Sequence, residues 1–308
     1  MVGADNMRER PESDILIGSC LPGHEPEKWL DRFLDAGFET LSVNFHMSFS
    51  GVEIESQGPL IKQLASKNGT TITSLGIYCN PVENPEHVTQ LERAIDSAGL
   101  YGAGIVSTFA GAYEGKPAEA SFHRFGKVFR ELCKRAEDRG VRIALENCPM
   151  GGNWQRTTCN IAFNPRAWEM IFNEVPSPAL GLEWEPAHQM VQLIDPIPQL
   201  RKWANKVIHV HGKDASLDWR AVKDEGVFFP SNHYALQRTV GFGDCNWCDI
   251  LSILRLNGYK GNICVEGFHD PVYRDDLEMT GQRHALSYLK WCRGGEIHHG
   301  ENRSIPLS

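Results

Sequence analysis

Four apolar segments of this 308-residue sequence end in side chains that can bind a metal ion or transfer a proton. The segments are IALENC with Glu146, LGLEWEPAH with Glu185, VIHVHGKD with His211 and ICVEGFHD with Glu266. Three carboxylates and one imidazole form an oxygen-rich donor set, which suits Mn²⁺, Mg²⁺ or Co²⁺ better than it suits a thiolate-bound structural zinc. We therefore predict one divalent ion, with Mn²⁺ preferred. The alternative is that these carboxylates pair with Lys213, Arg156 or Arg238.

Two pairs of these residues are spaced two apart, as Glu183 with Glu185 and His209 with His211. Side chains two apart in a strand face the same way, so both members of a pair point toward the interior if either does. The later member lies nearer the strand end and is the predicted ligand, which leaves Glu183 in a supporting network. His188 follows three residues after Glu185. It would hold a substrate hydroxyl, shuttle a proton or merely cap a loop.

The elements that must position these residues alternate between short β-rich runs and longer helical stretches. Eight strands are predicted, at 14–20, 40–45, 71–78, 104–109, 141–146, 180–185, 207–211 and 261–266. An apolar stripe over 122–136 predicts a helix closed by Gly140, and Asn84 with Pro85 predicts the start of another. Further helices are predicted near 27–36, 165–173, 196–204, 246–256 and 280–291.

Eight strand–helix units predict a closed (β/α)8 TIM barrel in a single domain, because such alternation implies parallel pairing and eight units close a barrel. The C-terminal strand ends then share one face, so residues far apart in sequence converge there. An open doubly wound sheet is the alternative, but the turn GSCLP after the first strand lacks the G-x-G-x-x-G pattern. We expect the barrel to cover residues 13–294, between tails at 1–12 and 295–308.

Composition and charge argue against several functions. The chain carries 31 Lys and Arg against 39 Asp and Glu, and its formal net charge of −8 disfavours nucleic acid as a partner. No apolar run approaches the ~20 residues of a membrane helix, and the start lacks a secretory signal, so we expect a cytoplasmic protein with no membrane partner. The nine cysteines predict reduced thiols, and the single C-x-x-C of Cys245 and Cys248 lacks the four ligands of a zinc ribbon.

The motifs resemble those of the xylose isomerase-like, or sugar phosphate isomerase/epimerase, TIM-barrel superfamily over residues 15–291. The resemblance is carried by ALENCPM, GLEWEPAHQMVQLIDP, HVHGKDA, VGFGDCNW and ICVEGFHDP, whose order and spacing are specific for the superfamily and not for one substrate. It implies that Glu146, Glu185, His211 and Glu266 bind one divalent metal. The family usually places Asp where Glu185 stands, so the additional methylene here alters the coordination geometry.

The resemblance further implies a sugar isomerase or epimerase that acts on a ketose or keto-sugar. The metal would bind the substrate carbonyl and a neighbouring hydroxyl, and it would stabilise the enediolate formed when an adjacent C–H is deprotonated. Glu146 and Glu266 would flank that carbon, one removing the proton and the other returning it. His188 would orient or protonate a hydroxyl.

Other substrate contacts are expected from two kinds of residue. Lys213 and Arg238 are candidates for binding an anionic group, but no helix-start glycine cluster accompanies them, so a free or keto sugar is preferred to a sugar phosphate. Phe45, Trp154, Trp184 and Phe268 would form apolar walls for sugar C–H groups, with core packing as the alternative for each. The expected partner is thus a small carbohydrate, and the resemblance favours a homo-oligomer, with a small companion subunit as another option.

Other functions stay open on the same fold. Enediolate chemistry can expel a leaving group β to the carbonyl, as in an inosose-type dehydratase or a lyase that cleaves a keto-glycoside or C-glycoside. Segment 216–241, with Trp219, Phe228, Phe229, His233 and Tyr234, would then be a lid over a bulky aglycone, or else a subunit contact. Endonucleases of the fourth AP type share the barrel but use three metals and additional histidines, of which His46 could mimic one. Retention of all four ligands argues against a non-catalytic binding protein.

Overall fold

Eight parallel strands form a closed barrel in the computed structural model, which describes residues 14–227 and 234–294. The barrel strands are β1 (Leu16–Pro22), β2 (Thr40–His46), β3 (Thr71–Tyr78), β4 (Ile105–Thr108), β5 (Arg142–Glu146), β6 (Leu180–Trp184), β7 (Val207–Gly212) and β10 (Asn262–Val265). Strands β8 (Asp214–Leu217) and β9 (Ala235–Arg238) form a separate antiparallel ribbon. Pairing of β1 with both β2 and β10 closes the barrel. The predicted (β/α)8 fold is therefore confirmed, with every predicted barrel strand within two residues of the observed bounds.

Helices cover the outside of the barrel. They are α1 (Pro26–Ala36), α2 (Ile54–Lys67), α3 (Pro85–Tyr101), α4 (Phe122–Asp138), α5 (Pro165–Glu174), α6 (Pro186–Met190), α7 (Pro196–Trp203), α8 (Trp219–Glu225), α9 (Trp247–Leu256) and α10 (Glu278–Cys292). Among the described helices, none is both long and apolar enough to cross a membrane.

Local sequence signals explain where several helices begin and end. The Asn84 side chain accepts a hydrogen bond from the Glu86 amide at 3.0 Å, and Pro85 opens α3 without an unused amide. Asn164 caps α5 in the same way, through the Ala167 amide. Gly140 follows α4 with a φ of 66°, a left-handed conformation that glycine adopts without a Cβ clash.

Helix α2 was not among the predicted helices. Its sequence contains Gly58 and Pro59, two residues that disfavour a helix interior. The structure shows why Gly58 is suited to this position: a Cβ there would lie 2.7 Å from the ring of Tyr101. Packing against α3 therefore outweighs the low helix propensity of this segment.

The segment that was expected to be a long lid, 216–241, contains regular structure. It includes most of the β8–β9 ribbon and all of α8. Trp219 is exposed, whereas Tyr234 is buried and its hydroxyl donates to the Val191 carbonyl at 2.9 Å. Phe228, Phe229 and His233 lie outside the described residues, as do the predicted tails.

The cysteines form no disulfide bond in the described part of the chain. All nine cysteines are free. Cys245 is buried with its Sγ 3.1 Å from Met190 Sδ, and neither Cys245 nor Cys248 joins a group of metal-ligating side chains in the described part of the chain. The C-x-x-C pair lies at the start of α9, consistent with the prediction that it is not a zinc ribbon.

Candidate metal centre and active site

The four ligands predicted from the strand ends lie together at the C-terminal mouth of the barrel. Glu146 is the last residue of β5, His211 lies near the end of β7, and Glu185 and Glu266 directly follow β6 and β10. One potential ligand atom from each residue lies within 4.8 Å of those from the other three. Parallel pairing of neighbouring strands produces this convergence, because it brings their carboxyl ends to one side of the barrel.

His211 occupies the centre of the group. Its Nδ1 atom lies 3.2 Å from Glu266 Oε2, 3.3 Å from Glu146 Oε1 and 3.7 Å from Glu185 Oε2. The imidazole and the carboxylate of Glu185 are almost fully buried, and Glu146 is nearly so. When the ring is neutral and carries its proton on Nε2, the side that faces Glu183, the Nδ1 lone pair can join the three carboxylates in binding a metal ion.

Lys213 also reaches this group. Its Nζ lies 3.1 Å from Glu185 Oε1 and 2.9 Å from Glu266 Oε2. The alternative of pairing with Lys213 is thus realised for two of the three carboxylates. Arg238 pairs with Asp270 instead, and Arg156 is exposed. Three carboxylates against one ammonium leave a surplus of negative charge.

The donor set fits a metal ion. Both carboxylate oxygens of Glu185 and Oε2 of Glu266 are buried and accept no hydrogen bond from the residues that the structure describes. Buried carboxylate oxygens without hydrogen bonds are costly, and a divalent cation would satisfy them together. The buried Glu and His side chains can therefore hold a metal ion.

The pKa values of the carboxyl groups reflect this crowding. Burial, reinforced by the charges of Glu266 and Glu146, raises the pKa of Glu185 to about 8 despite the opposing charge of Lys213. Burial also raises the pKa of Glu146. Burial opposes ionisation of Glu266 as well, but Lys213 and His211 outweigh it and hold the pKa of that carboxyl well below its usual range.

A second buried network lies deeper in the barrel. Glu183 accepts hydrogen bonds from Tyr78 Oη at 2.8 Å and from Ser107, and it contacts His209 Nδ1. His211 Nε2 lies 3.4 Å from Glu183 Oε2 and 3.3 Å from Tyr78 Oη. Glu183 therefore holds the far side of the ring whose Nδ1 faces the ligand group, which fixes its orientation.

The charges of this network alter the pKa of its members. Burial favours the neutral forms, but the charges of His211 and His209 outweigh it and lower the pKa of Glu183. Burial likewise opposes the imidazolium of His211, yet Glu183 raises the pKa of that ring well above its usual value. Sequence reasoning placed Glu183 and His209 correctly but missed Tyr78, whose signal was a polar residue at the end of the third strand.

His188 lies beside the ligand group on the short helix α6. Its Nε2 is 3.2 Å from Glu185 Oε1, and its buried Nδ1 has no hydrogen-bond partner among the residues described. Burial and the nearby Lys213 hold the pKa of His188 well below its usual value, so the ring is neutral. A neutral imidazole with one unused nitrogen at a cavity wall can bind a hydroxyl group.

A cavity of about 900 Å³ opens above the ligand group. Glu146, His188, His211, Lys213 and Glu266 line it. Its other walls are largely apolar and include Phe45 and Phe268, as expected, together with Phe109, which was not singled out from the sequence. Such a cavity has the size and mixed lining of a small-molecule site.

Three residues that the sequence suggested for the substrate site lie elsewhere. Trp154 does not line the cavity; its indole packs near Phe122 and Phe163 and donates a hydrogen bond to Glu119. Trp184 is fully buried outside the cavity. Arg238 also stays off the cavity walls because its guanidinium pairs with Asp270 at 3.1 Å.

The motifs HGKDA and VGFGDCNW contact each other through Asp214. Its buried carboxylate accepts hydrogen bonds from the amides of Ala215, Gly241 and Cys245 and from the Trp247 indole, at 2.8 to 3.2 Å. Asp214 thus fastens the β8–β9 ribbon beside Lys213. The ribbon in turn contributes Ala235 and Gln237 to the cavity wall.

A family model described as the xylose isomerase-like TIM barrel matches residues 30–291 of the chain. The chain belongs to this family. The uncharacterized protein YfiH of Bacillus subtilis (strain 168) is 26% identical over 266 residues, which cover 74% of this chain and 80% of YfiH. The inosose dehydratase of Clostridium tetani is 27% identical over 172 residues, or 54% of this chain and about half (55%) of the dehydratase.

Solved structures agree with this xylose isomerase-like fold. The structure of an L-ribulose 3-epimerase matches with a TM-score of 0.65 and 17% sequence identity, over 91% of this chain and 96% of the epimerase. At this level of identity the likeness establishes the shared architecture. The proteins to which the chain is similar thus include an epimerase and a dehydratase.

Proposed function

We propose that this chain is a divalent-metal-dependent isomerase or epimerase that acts on a ketose or keto-sugar through an enediolate. Mn²⁺ is the preferred ion, with Mg²⁺ or Co²⁺ as alternatives. One observation carries the proposal: ligand atoms of Glu146, Glu185, His211 and Glu266 gather within 4.8 Å beside a cavity large enough for a sugar. Membership in a carbohydrate-modifying family supports it.

Proton transfer would be carried out by Glu146 and Glu266, which both line the cavity. A divalent cation bound at the ligand group would supply Lewis-acid stabilisation of negative charge on the substrate. One carboxylate would remove the proton from the carbon beside the carbonyl, and the other would return it. Return to the opposite face of the same carbon gives epimerisation, whereas delivery to the neighbouring carbon gives isomerisation.

His188 and Lys213 would bind and orient the substrate. The unused Nδ1 of His188 suits a sugar hydroxyl, and Lys213 Nζ, which faces the cavity between two carboxylates, would donate to a substrate oxygen. We assign no substrate role to Trp154 or Arg238, because neither lines the cavity. Four side chains from strand ends and one short helix would thus bind the substrate and transfer the proton, while Glu185 and His211 would complete the metal site.

Deuterium exchange tests the proposal directly. The Mn²⁺-loaded protein is incubated in D₂O with a panel of ketoses and 3-keto-glucosides, and exchange is followed by NMR. We expect deuterium at the carbon beside the carbonyl, and no exchange with Glu266→Gln. Glu169→Gln, which alters an exposed carboxylate on α5, is the matched control and should exchange normally. Absence of exchange with every member of the panel would refute the proposal.

Dehydration is a second candidate, favoured by the alignment with an inosose dehydratase. It needs the same proton removal, followed by departure of a hydroxyl group β to the carbonyl with a proton from the protein. Incubation with 2-keto-myo-inositol distinguishes the two reactions, because loss of water is visible by mass spectrometry. Release of the aglycone from a keto-glycoside would select the lyase branch of the same chemistry.

A further inference from the structure

Three bulky residues beside the cavity hold a backbone conformation that L-amino acids rarely adopt. The φ angles are 49° at Met150, 58° at Leu193 and 69° at Phe268. All three residues also line the cavity. Glycine or asparagine would adopt this conformation at lower cost, so backbone geometry alone does not explain three apolar side chains here.

Polar contacts hold each of these residues in place. The Phe268 amide donates to the buried carboxylate of Glu278 at 2.9 Å, and the Leu193 amide donates to the Met190 carbonyl at 2.8 Å, just beyond the helix that carries His188. The Thr158 hydroxyl donates to the Met150 carbonyl at 3.1 Å. Strain that is maintained by the surrounding structure beside a site is typical of ligand-contacting segments.

The cavity wall around these residues is more apolar than polar, although Asn153, Gln192 and His269 also line it. Leu21, Val191 and Val227 extend the apolar lining. Among the described residues of the wall, Lys213 is the single Lys or Arg, and its ammonium contacts Glu185 and Glu266. A phosphate group would therefore find no unpaired ammonium or guanidinium to bind. The volume of about 900 Å³ lies near the upper end of the range for drug-sized ligands, which exceeds the needs of one free monosaccharide.

We infer that Met150, Leu193 and Phe268, together called the apolar rim, bind an aryl substituent on the sugar while the sugar ring faces the carboxylates. The substrate class is then an aryl glycoside of a keto-sugar, which keeps the carbonyl that the proposed reaction needs, rather than a free monosaccharide or a sugar phosphate. This inference rests on the proposed function and deepens it.

Calorimetric titration of the Mn²⁺-loaded full chain tests the inference without turnover. The probes are phenyl β-D-glucopyranoside, methyl β-D-glucopyranoside and glucose 6-phosphate. We expect the phenyl glucoside to bind roughly tenfold more tightly than the methyl glucoside, because the ring buries apolar surface on the rim. We expect the phosphate to bind no more tightly than the methyl glucoside. Equal affinity for the two glucosides, or tightest binding of the phosphate, overturns the inference.

Substitution by asparagine distinguishes the loss of an apolar contact with the aryl ring from a change in backbone strain. Leu193→Asn should weaken phenyl glucoside binding roughly fivefold and leave methyl glucoside binding unchanged. Its Tm should not fall, since asparagine tolerates the left-handed conformation. Met47→Asn is the matched control, because Met47 has a φ of 63° but does not line the cavity. If Leu193→Asn does not fold, Met150→Asn makes the same test. Unchanged phenyl glucoside binding in the rim variant, or equal loss in Met47→Asn, overturns the inference.

Failure of the inference can be told from failure of the proposed function. If the aryl preference is found but no keto-sugar exchanges deuterium, the apolar rim stands and the reaction is wrong. If keto-sugars exchange deuterium and the aryl preference is absent, the reaction stands and the rim is overturned.

Discussion

Lys213 Nζ lies 3.1 Å from Glu185 Oε1, and both side chains are almost completely buried. An ammonium in this position supplies positive charge to carboxylates that also face the predicted metal position. It stabilises the acidic group in the absence of a cation, and it would lie beside a substrate bound in the cavity.

Replacing Lys213 by methionine should destabilise the metal-free protein by about 2–4 kcal/mol, because buried Glu185 and Glu266 lose their charged partner. The loss should grow as pH rises. The folded-state pKa of Glu185 is raised to about 8, so the parent protein loses stability between the unfolded value and about 8. Without Lys213 this pKa rises further, so the variant continues to lose stability above pH 8 and the difference from the parent widens. Urea unfolding at pH 6 and pH 8.5 measures this. Lys260→Met, at an exposed lysine, is the control. A loss that is the same at both pH values would contradict the argument.

Metal binding should release protons and strengthen as pH rises from 6 to 8. Metal coordination needs Glu185 as a carboxylate and His211 as a neutral ring, whereas the raised pKa values of both groups favour their protonated forms. Calorimetry with Mn²⁺ in buffers of different ionisation enthalpy counts the protons. Glu185→Gln should release fewer protons than the parent protein. Affinity that is constant across this pH range would refute the prediction.

The chain should bind one divalent ion, measured as about one equivalent by elemental analysis after loading with Mn²⁺ and desalting. Glu146→Gln and Glu266→Gln should each lower the deuterium-exchange rate by about 10²–10⁴-fold while circular dichroism stays unchanged, because an amide cannot transfer the proton. Three equivalents of metal would instead favour the endonuclease reading. His46 lines the cavity but belongs to none of the ligand groups found in the described chain, so it does not supply the additional histidine that the endonuclease would need beside them.

Asp214→Asn should destabilise the protein by about 1–3 kcal/mol and loosen the β8–β9 ribbon. The two oxygens of Asp214 accept four hydrogen bonds, so an amide NH₂ would face backbone or indole donors. Hydrogen exchange over 214–217 and 235–238 reports the loosening. Asp244→Asn is the comparison, because exposed Asp244 accepts one hydrogen bond from the Leu217 amide. Equal effects of the two substitutions would show that Asp214 has no special role.

The sequence was sufficient to predict those site residues whose side-chain direction follows from their position in a barrel strand. Parallel strands share an end, and this was enough to group Glu146, Glu185, His211 and Glu266. The period of two along a strand also placed Glu183 and His209 below them. The same period places Trp184 on the opposite face from Glu185, which explains why Trp184 does not line the cavity.

Residues in loops could not be placed by such a rule. Trp154 lies after β5 in a segment whose direction depends on contacts with Glu119 and Phe163. Arg238 pairs with Asp270, which lies 32 residues away in the sequence. No pattern in the residues around Arg238 predicts this ion pair. Helix α2 was missed because Gly58 and Pro59 disfavour a helix locally, while the close fit of Gly58 against Tyr101 exists only in the folded chain.

The β8–β9 ribbon places part of the substrate-binding wall on a different element from the carboxylates proposed to transfer the proton. The carboxylates proposed to transfer the proton lie at the ends of barrel strands, whereas part of the cavity wall lies on the β8–β9 ribbon, which is fastened by the carboxylate of Asp214. We therefore expect substitutions in the β8–β9 ribbon to change substrate specificity without moving Glu146 and Glu266. Proteins with this barrel could therefore differ in substrate range through changes in the ribbon while the proposed reaction stays the same.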